Sequence, residues 1–133
     1  GSKRIPINIV VLLPEEESRL FSIKRVRPAI KLATENVTSS NILTRHELVT
    51  SYADSKCHIA EAMNEAIKAT VRGQVHAFLG PVCDYSVSPV ARQAKYWNIP
   101  LITSGAMASD FLMRRSTLYT TLTRVGPNYD TFI

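Results

Sequence analysis

IPINIVVLL, the stretch from Ile5 to Leu13, decides the fold class of this 133-residue chain. It is rich in β-branched residues and almost continuously apolar, which is typical of a strand that is covered on both faces. The run is also far shorter than the ~20 apolar residues that a membrane-spanning helix needs. We therefore predict a buried strand of a globular domain here, and no membrane span.

Helix-like and strand-like stretches alternate after this strand. Apolar residues at steps of three and four between Ile23 and Val37 predict a helix, with Pro28 in its first turn or at a kink. A second helix carries Ile59, Met63, Ile67 and Val71 on its apolar face, after an Asp54 or Ser55 cap and before Gly73. The third begins with Ser88 as its cap and Pro89 as its first residue.

Further apolar runs predict strands at residues 47–52, 75–79, 99–103 and 119–125, and a short helix at residues 106–113. Alternation of this kind is typical of an α/β fold, a doubly wound parallel sheet with helices on both faces. Ligands of such sheets bind at the carboxyl ends of the strands. The loops at that edge are therefore the places to search for a site.

Composition and charge exclude several classes of protein. The chain is 45% hydrophobic and 20% charged, as expected of a folded domain, and its 16 basic and 11 acidic residues give a net charge of +5. The basic residues are spread along the chain and do not form the dense stripe, interleaved with aromatics, that nucleic-acid binders carry. We expect no nucleic-acid partner.

The motifs of common enzymes are missing from the sequence. The first strand–helix turn is Pro14-Glu15-Glu16-Glu17-Ser18, which has no glycine, and its carboxylates repel phosphate, so dinucleotide and P-loop binding are excluded. His46, His58 and His76 are scattered and match no metal motif. We therefore predict no catalytic residue, no metal and no organic cofactor.

Two cysteines, Cys57 and Cys83, follow the second and the third predicted strand, and in a parallel sheet both positions lie at the same carboxyl-end edge. Their Cα atoms are within reach of a disulfide, and two reduced, buried thiols are the alternative. Asn36-Val37-Thr38 is a glycosylation sequon. A disulfide and a glycan would both indicate an oxidising compartment.

The segment from Gly80 to Tyr85 joins a strand to a helix. Successive backbone N–H groups in such a turn suit a small anion, and Ser55 would add a hydroxyl from the neighbouring turn. A plain tight turn with no ligand is the alternative.

Several runs together resemble a known family, the extracellular ligand-binding region of natriuretic peptide receptors. They are IVVLLP (9–14), RVRPAI (25–30), DSKC (54–57), FLGPVCDY (78–85), PVARQAKYWNIPLITSGA (89–106) and LTRVGPNY (122–129). The resemblance runs from about residue 5 to the end of the chain. It implies a lobe similar to type I periplasmic binding proteins, with residues 5–133 forming part of the N-terminal lobe. The opening Gly1-Ser2 is typical of a cloning remnant, and we expect residues 1–4 to be this remnant and a leader.

The same resemblance implies site residues. It implies a disulfide between Cys57 and Cys83, and a chloride ion held by the Ser55 hydroxyl and the N–H groups of Val82 and Cys83. It places Tyr85, Arg92 and Tyr119 at peptide-contact positions, and dimer contacts on the helix that carries Lys95, Tyr96 and Trp97. From the residues alone, we expect Trp97 in the core and Tyr96 at the surface or the interface. The chain departs from the family at Ile59, where some members carry an acidic contact, and in the basic stretch Arg114–Leu118.

The function implied is that of the extracellular lobe of a membrane-anchored receptor. A peptide hormone would dock between two protomers of a homodimer at the plasma membrane, and an intracellular guanylyl cyclase or a short tail would follow the membrane span. The alternative is a lobe that senses an amino acid or another small molecule through Thr103, Ser104 and Ser109.

Overall fold

The computed structural model describes residues 3–126, which form a parallel five-stranded sheet in the order β2-β1-β3-β4-β5 with helices between the strands. The doubly wound parallel sheet predicted from the sequence is confirmed. Residues 127–133, which end the predicted lobe, lie outside the described residues. The elements are β1 (Ile5–Leu13), α1 (Ile23–Ser39), β2 (His46–Asp54), α2 (Ile59–Arg72), β3 (Ala77–Leu79), α3 (Asp84–Trp97), β4 (Leu101–Thr103), α4 (Ser109–Met113) and β5 (Leu122–Arg124).

Strand β1 organises the sheet because it pairs on both sides. It pairs with β2 along its whole length, from Ile5 opposite His46 to Leu13 opposite Asp54, and Ile9–Val11 also pair with β3. The residues Val10–Leu13 are buried, whereas Ile5 at the start of the strand is 57% exposed. The carboxyl end of β1, where the loops of the candidate site meet, is therefore the buried end of the strand.

Alternate residues of β1 face two separate apolar cores, as the two-residue period of a strand requires. Val10 and Leu12 belong to the larger core, which includes buried residues of α2 and α3. Val11 and Leu13 face the other way, against Ile23 of α1. Helices therefore cover both faces of the sheet.

Two helix predictions concern proline, and the one for α3 needs correction. Helix α3 begins at Asp84 after the N-cap Cys83, so Pro89 lies inside it and Ser88 is not its cap. Pro28 likewise lies inside α1, beyond the first turn. An internal proline removes one backbone hydrogen bond, and burial of an apolar face such as Val87, Val90 and Ala91 offsets that loss.

The cap and the buried face of α2 also differ from the prediction. Nδ1 of His58, and not Asp54 or Ser55, accepts hydrogen bonds from the N–H groups of Ala60 and Glu61. Ala62 and Ala66 are fully buried, while Ile67 and Val71 of the predicted inner face are 43% and 80% exposed. The helix approaches the sheet closely through its small residues, and most of its large apolar residues face outward.

The last three strands are shorter than predicted, with three residues each. Tyr119, predicted to open the last strand, lies in the turn before β5. None of the helices in the described residues is long and apolar enough to cross a membrane.

Candidate ligand and anion site at the carboxyl edge of the sheet

The disulfide between Cys57 and Cys83 ties two loops of this edge together. It joins the β2–α2 loop to the N-terminus of α3 across a Cα–Cα distance of 5.5 Å. The alternative of two reduced thiols is therefore set aside. The link holds Ser55 and Val82, each within two residues of a cysteine, in neighbouring turns.

The β2–α2 turn presents a buried hydroxyl. Ser55 is fully buried, and its backbone N–H donates to the carbonyl oxygen of Leu13 at 3.0 Å. Its Oγ accepts a long hydrogen bond from the N–H of Cys57 at 3.4 Å and, among the described residues, donates to no acceptor. A buried hydroxyl proton without an acceptor is a donor available to an anion.

The β3–α3 turn contributes backbone donors. The N–H groups of Val82 and Cys83 make no hydrogen bond to an acceptor within residues 3–126. The two acidic residues adjacent in sequence are engaged elsewhere: Oδ1 of Asp84 accepts from the N–H of Met107 at 2.9 Å, and Oδ1 of Asp54 accepts from the N–H groups of Glu15 and Lys56, both at 2.9 Å. These groups suit a chloride ion, because the residues named for it offer donors and no carboxylate of their own.

Arg92 is anchored at the surface of α3 by a tyrosine hydroxyl. The Tyr119 hydroxyl accepts from Nε and Nη2 of Arg92 at 3.4 and 3.3 Å, donates to Oδ2 of Asp110 at 3.3 Å and lies 3.2 Å from Oγ of Ser88. Tyr119 itself is 1% exposed and packs on Phe111 with ring centroids 4.9 Å apart. Its ring therefore offers no contact area to a ligand in this lobe, which corrects that expectation; its hydroxyl orients Arg92 instead.

Tyr85 occupies the same face of α3 as Arg92. The two residues are seven positions apart, or about two helical turns, so their side chains project from one side of the helix. Tyr85 is 83% exposed and Arg92 is also exposed. An aromatic ring and a guanidinium are thus both exposed on one face of α3, about 10 Å apart along the helix axis.

The residues expected at a dimer interface lie at the end of α3. Tyr96 is 76% exposed, and Nζ of Lys95 donates to the carbonyl oxygen of Thr117 at 2.7 Å. Trp97, expected in the core, is partly buried against Phe78 with ring centroids 6.4 Å apart. Tyr96 is therefore available at the surface, whereas Trp97 packs against the core.

The sequon asparagine, Asn36, lies near the end of α1 and is exposed. Its side chain is accessible from solvent, as a glycan acceptor must be.

An apolar groove of about 180 Å³ opens at the same edge on the α1 side of the sheet, lined by residues that include Leu13, Leu79, Ile102, Thr103 and Ser104. Of the hydroxyls expected to bind a small molecule, that of Thr103 is buried and donates to the carbonyl oxygen of Pro81 at 2.6 Å. Ser104 and Ser109 are exposed.

Several residues that shape the site were missed by sequence reasoning. Asp110 pairs with Arg114 at 2.9 Å, and their spacing of four, from the predicted short helix to the residue directly after it, was a usable signal. The roles of Thr103 and Gly105, whose backbone lies against Val82, had no local signal because they depend on two loops meeting.

The loop after β1 is acidic, as the sequence indicates. Glu16 accepts a hydrogen bond from the Ser18 hydroxyl and pairs with Arg19, and these interactions lower the pKa of its carboxyl group. The loop therefore keeps a negative charge that disfavours a phosphate ligand at this turn.

Solved structures with the same fold are binding proteins. The chain superposes on the branched-chain amino acid transporter substrate binding protein LivJ from Streptococcus pneumoniae, in complex with isoleucine, with a TM-score of 0.74, 18% identity, and coverage of 90% of this chain and 33% of that one. For the leucine binding protein LivK from Thermotoga maritima the TM-score is 0.69 with 21% identity, over 90% of this chain and 32% of that one. These similarities show the type I periplasmic-binding-protein-like fold.

Sequence relatives identify a narrower group. The chain is 39% identical to atrial natriuretic peptide receptor 3 of Bos taurus over 132 aligned positions, which cover 92% of this chain and 24% of that receptor. It is 34% identical to atrial natriuretic peptide receptor 2 of Rattus norvegicus over 123 positions, covering 92% of this chain and 12% of the relative. The chain thus spans only a fraction of each relative's length.

A family model described as the receptor family ligand binding region matches residues 25–132. The match includes the disulfide, both loops of the anion site and the Tyr85–Arg92 surface. The matched region is described as a ligand binding region, in agreement with the prediction that this part of the protein is a binding domain and not an enzyme. Together with the similarity to natriuretic peptide receptors, this match shows that the chain belongs to the receptor family ligand binding region.

Proposed function

We propose that this chain is part of the extracellular hormone-binding region of a natriuretic peptide receptor-like membrane receptor. The observation that carries the proposal is the exposed pair Tyr85 and Arg92 on one face of α3, with Arg92 held by the Tyr119 hydroxyl. The similarity to atrial natriuretic peptide receptors supports a peptide as the ligand.

The chemistry of this pair suits a peptide. The guanidinium of Arg92 keeps further N–H donors for a peptide carbonyl or carboxylate, because Tyr119 engages only Nε and Nη2. Tyr85 offers rigid aromatic area, and tyrosine and arginine are enriched among the residues that dominate binding energy at interfaces.

The natural-length receptor on a cell surface, titrated with cyclic natriuretic-type peptides, tests the proposal. We expect saturable binding that Arg92→Ala or Tyr85→Ala weakens by about tenfold or more. Arg45→Ala is the matched control, because Arg45 is an exposed arginine just before β2, at the amino end of the strands and away from α2 and α3. Absence of saturable binding for every peptide would reject the hormone function.

A chloride ion in the pocket of Ser55, Val82 and Cys83 is a second part of the proposal. A buried hydroxyl and two backbone N–H groups supply the donors, and a bound anion stabilises the folded chain by linkage. The midpoint of thermal unfolding should rise with chloride and not with gluconate at equal ionic strength. Equal midpoints in the two salts would remove chloride from this pocket.

We also propose that two receptor protomers meet through the ends of α2 and α3. Lys95 and the exposed Tyr96 lie on α3, and α2, which packs against α3, leaves Ile67 and Val71 exposed. Exposed apolar residues of this kind are typical of interaction surfaces. Sedimentation of the natural-length ectodomain should show a dimer that Tyr96→Glu dissociates, while Leu112→Glu, at a comparably exposed residue of α4, leaves it intact.

The extracellular location rests on two features of the chain. The Cys57–Cys83 disulfide requires an oxidising compartment to persist, and the Asn36 sequon is exposed. Expression through a secretory pathway should add a glycan that Asn36→Gln removes, seen as a loss of mass. A chain of unmodified mass would withdraw the glycosylation proposal.

A small-molecule sensor is the second candidate, and the apolar groove beside Leu79 and Ile102 is the observation in its favour. Its volume of about 180 Å³ suits a short aliphatic group, and Ser104 lies at its edge. A thermal-shift screen with leucine and other amino acids separates the two functions. Stabilisation by an amino acid, combined with no peptide binding, would favour the sensor.

A further inference from the structure

We propose that the loop after β4, residues 103–107, positions the backbone donors of the anion pocket without touching the anion. This inference rests on the proposed chloride site and concerns Thr103 and Gly105, to which no role in that site was assigned. Its basis is the pattern of hydrogen bonds between this loop and the turn that carries Val82 and Cys83.

The loop holds two successive carbonyl groups of that turn. Oγ1 of Thr103 donates to the carbonyl oxygen of Pro81 at 2.6 Å, and the N–H of Ala106 donates to the carbonyl oxygen of Val82 at 3.3 Å. The Thr103 hydroxyl is itself fixed, because its oxygen accepts from the N–H of Gly105 at 3.0 Å. Both carbonyls therefore point toward the β4–α4 loop.

Because a peptide unit is planar, holding its carbonyl group also fixes the direction of its N–H group. The carbonyl of Pro81 and the N–H of Val82 belong to one peptide unit, and the carbonyl of Val82 and the N–H of Cys83 to the next. In a trans peptide unit the C=O and N–H groups point in opposite directions. By holding the two carbonyls, the loop aims the two N–H groups away from itself, and these are the N–H groups assigned to chloride.

The backbone of the loop approaches the backbone of Val82 so closely at position 105 that only glycine fits there. A Cβ added to Gly105 would overlap the carbonyl oxygen, carbonyl carbon and Cα of Val82. Any side chain there would push the loop and the turn apart and rotate the peptide units that carry the donors. The loop also binds Asp84, whose carboxylate accepts a hydrogen bond from the N–H of Met107 at 2.9 Å.

The test compares the chloride dependence of variants of the full chain. Thr103→Val removes the hydroxyl and keeps the shape, and it should weaken chloride binding about tenfold, the loss expected when fixed donors become mobile. Thr103→Ser keeps the hydroxyl and should retain the wild-type response. Thr121→Val is the matched control, because Oγ1 of Thr121 is buried with no partner among the described residues.

Two readouts separate positioning from simple destabilisation. The first is the difference between unfolding midpoints in chloride and in gluconate, and the second is broadening of the chloride-35 NMR line by the folded protein. A merely structural role lowers both midpoints equally and leaves their difference and the NMR titration unchanged, which would overturn the inference. Gly105→Ala keeps every hydrogen-bonding group and should show the same loss of chloride binding as Thr103→Val. It is the variant to use if Thr103→Val does not fold.

Failure of the chloride site itself gives a different result. If the wild-type chain shows no chloride-dependent midpoint and no line broadening, the anion proposal is rejected together with this inference. If the wild type responds and both Thr103→Val and Gly105→Ala respond equally well, only the positioning role is rejected.

Discussion

The hydroxyl of the buried Tyr119 orders the exposed side chain of Arg92. It lies within 3.4 Å of polar atoms of Ser88, Arg92 and Asp110, while its ring is 1% exposed. A long arginine loses considerable rotamer freedom when it binds a partner. Since Arg92 is held in place before any ligand arrives, less of that cost falls on binding.

Tyr119→Phe should lower the free energy of unfolding by about 1 kcal/mol, because it leaves Asp110 and Arg92 without this partner and adds no cavity. Denaturant-induced unfolding measures the change. Tyr85→Phe is the control, since the Tyr85 side chain is 83% exposed, and it should have no measurable effect. Equal stability of Tyr119→Phe and the wild type would show that the network does not stabilise the fold.

At the scale of elements, α2 is the helix whose orientation differs most from its sequence pattern. Its fully buried residues are Ala62 and Ala66, whereas Val71 is 80% exposed. Alanines at the contact let the helix approach the sheet closely, so a larger residue there has no space. The exposed aliphatic residues remain free for another surface.

Ala66→Leu should destabilise the chain by about 1–3 kcal/mol through overpacking, and Val71→Ala should change stability by no more than about 0.5 kcal/mol. Denaturant unfolding of both variants compares the two faces directly. A larger loss for Val71→Ala than for Ala66→Leu would mean that α2 is rotated relative to the arrangement described here.

The close packing at Gly105 leads to a similar prediction of overpacking in the loop after β4. Gly105→Ala should cost about 1–3 kcal/mol of folding free energy because the new Cβ meets the Val82 backbone. Gly73→Ala is the matched control: a Cβ at Gly73 meets nothing within 4 Å, and its φ of 173° suits any residue. Unfolding curves that are indistinguishable for the two variants would contradict the close contact of the loops.

At the scale of the whole molecule, the disulfide joins parts of the chain that the sheet alone does not connect. Cys57 and Cys83 are 26 residues apart and follow β2 and β3, which are separated in the sheet by β1. The crosslink therefore spans the end of the central strand and fixes both turns of the anion pocket.

Reduction of the disulfide, or the double change Cys57→Ser with Cys83→Ser, should lower the free energy of unfolding by about 3.5 kcal/mol on the chain-entropy model. Unfolding with and without dithiothreitol measures the effect, and the double variant, which lacks the bond, should be insensitive to the reductant. A wild-type chain that is equally stable with the reductant, after loss of the bond is verified by mass, would contradict this role.

Much of the fold was predictable because its signals are local. The apolar run Ile5–Leu13, the helical spacing from Ile23 to Val37 and the cap at Gly73 each reflect a short-range preference. The start of α3 was not predictable in this way, because Ser88-Pro89 is a good local start signal. The packing of Val87 against the core extends the helix a turn earlier than that signal.

In the candidate site, too, some features have local sequence signals and others depend on tertiary packing. Exposure of Tyr85 and burial of Tyr119 are both compatible with their surrounding sequence, and only the packing of α4 and the turn before β5 against α3 distinguishes them.

The order of apolar runs and turn residues by itself determined that this chain forms alternating strands and helices, because those preferences act over a few neighbouring residues. Which side of α2 turns inward, which tyrosine reaches solvent and which carbonyls are held by residues 103–107 were decided only by the tertiary structure. Each depends on groups far apart in sequence sharing one space, and no local pattern encodes that space.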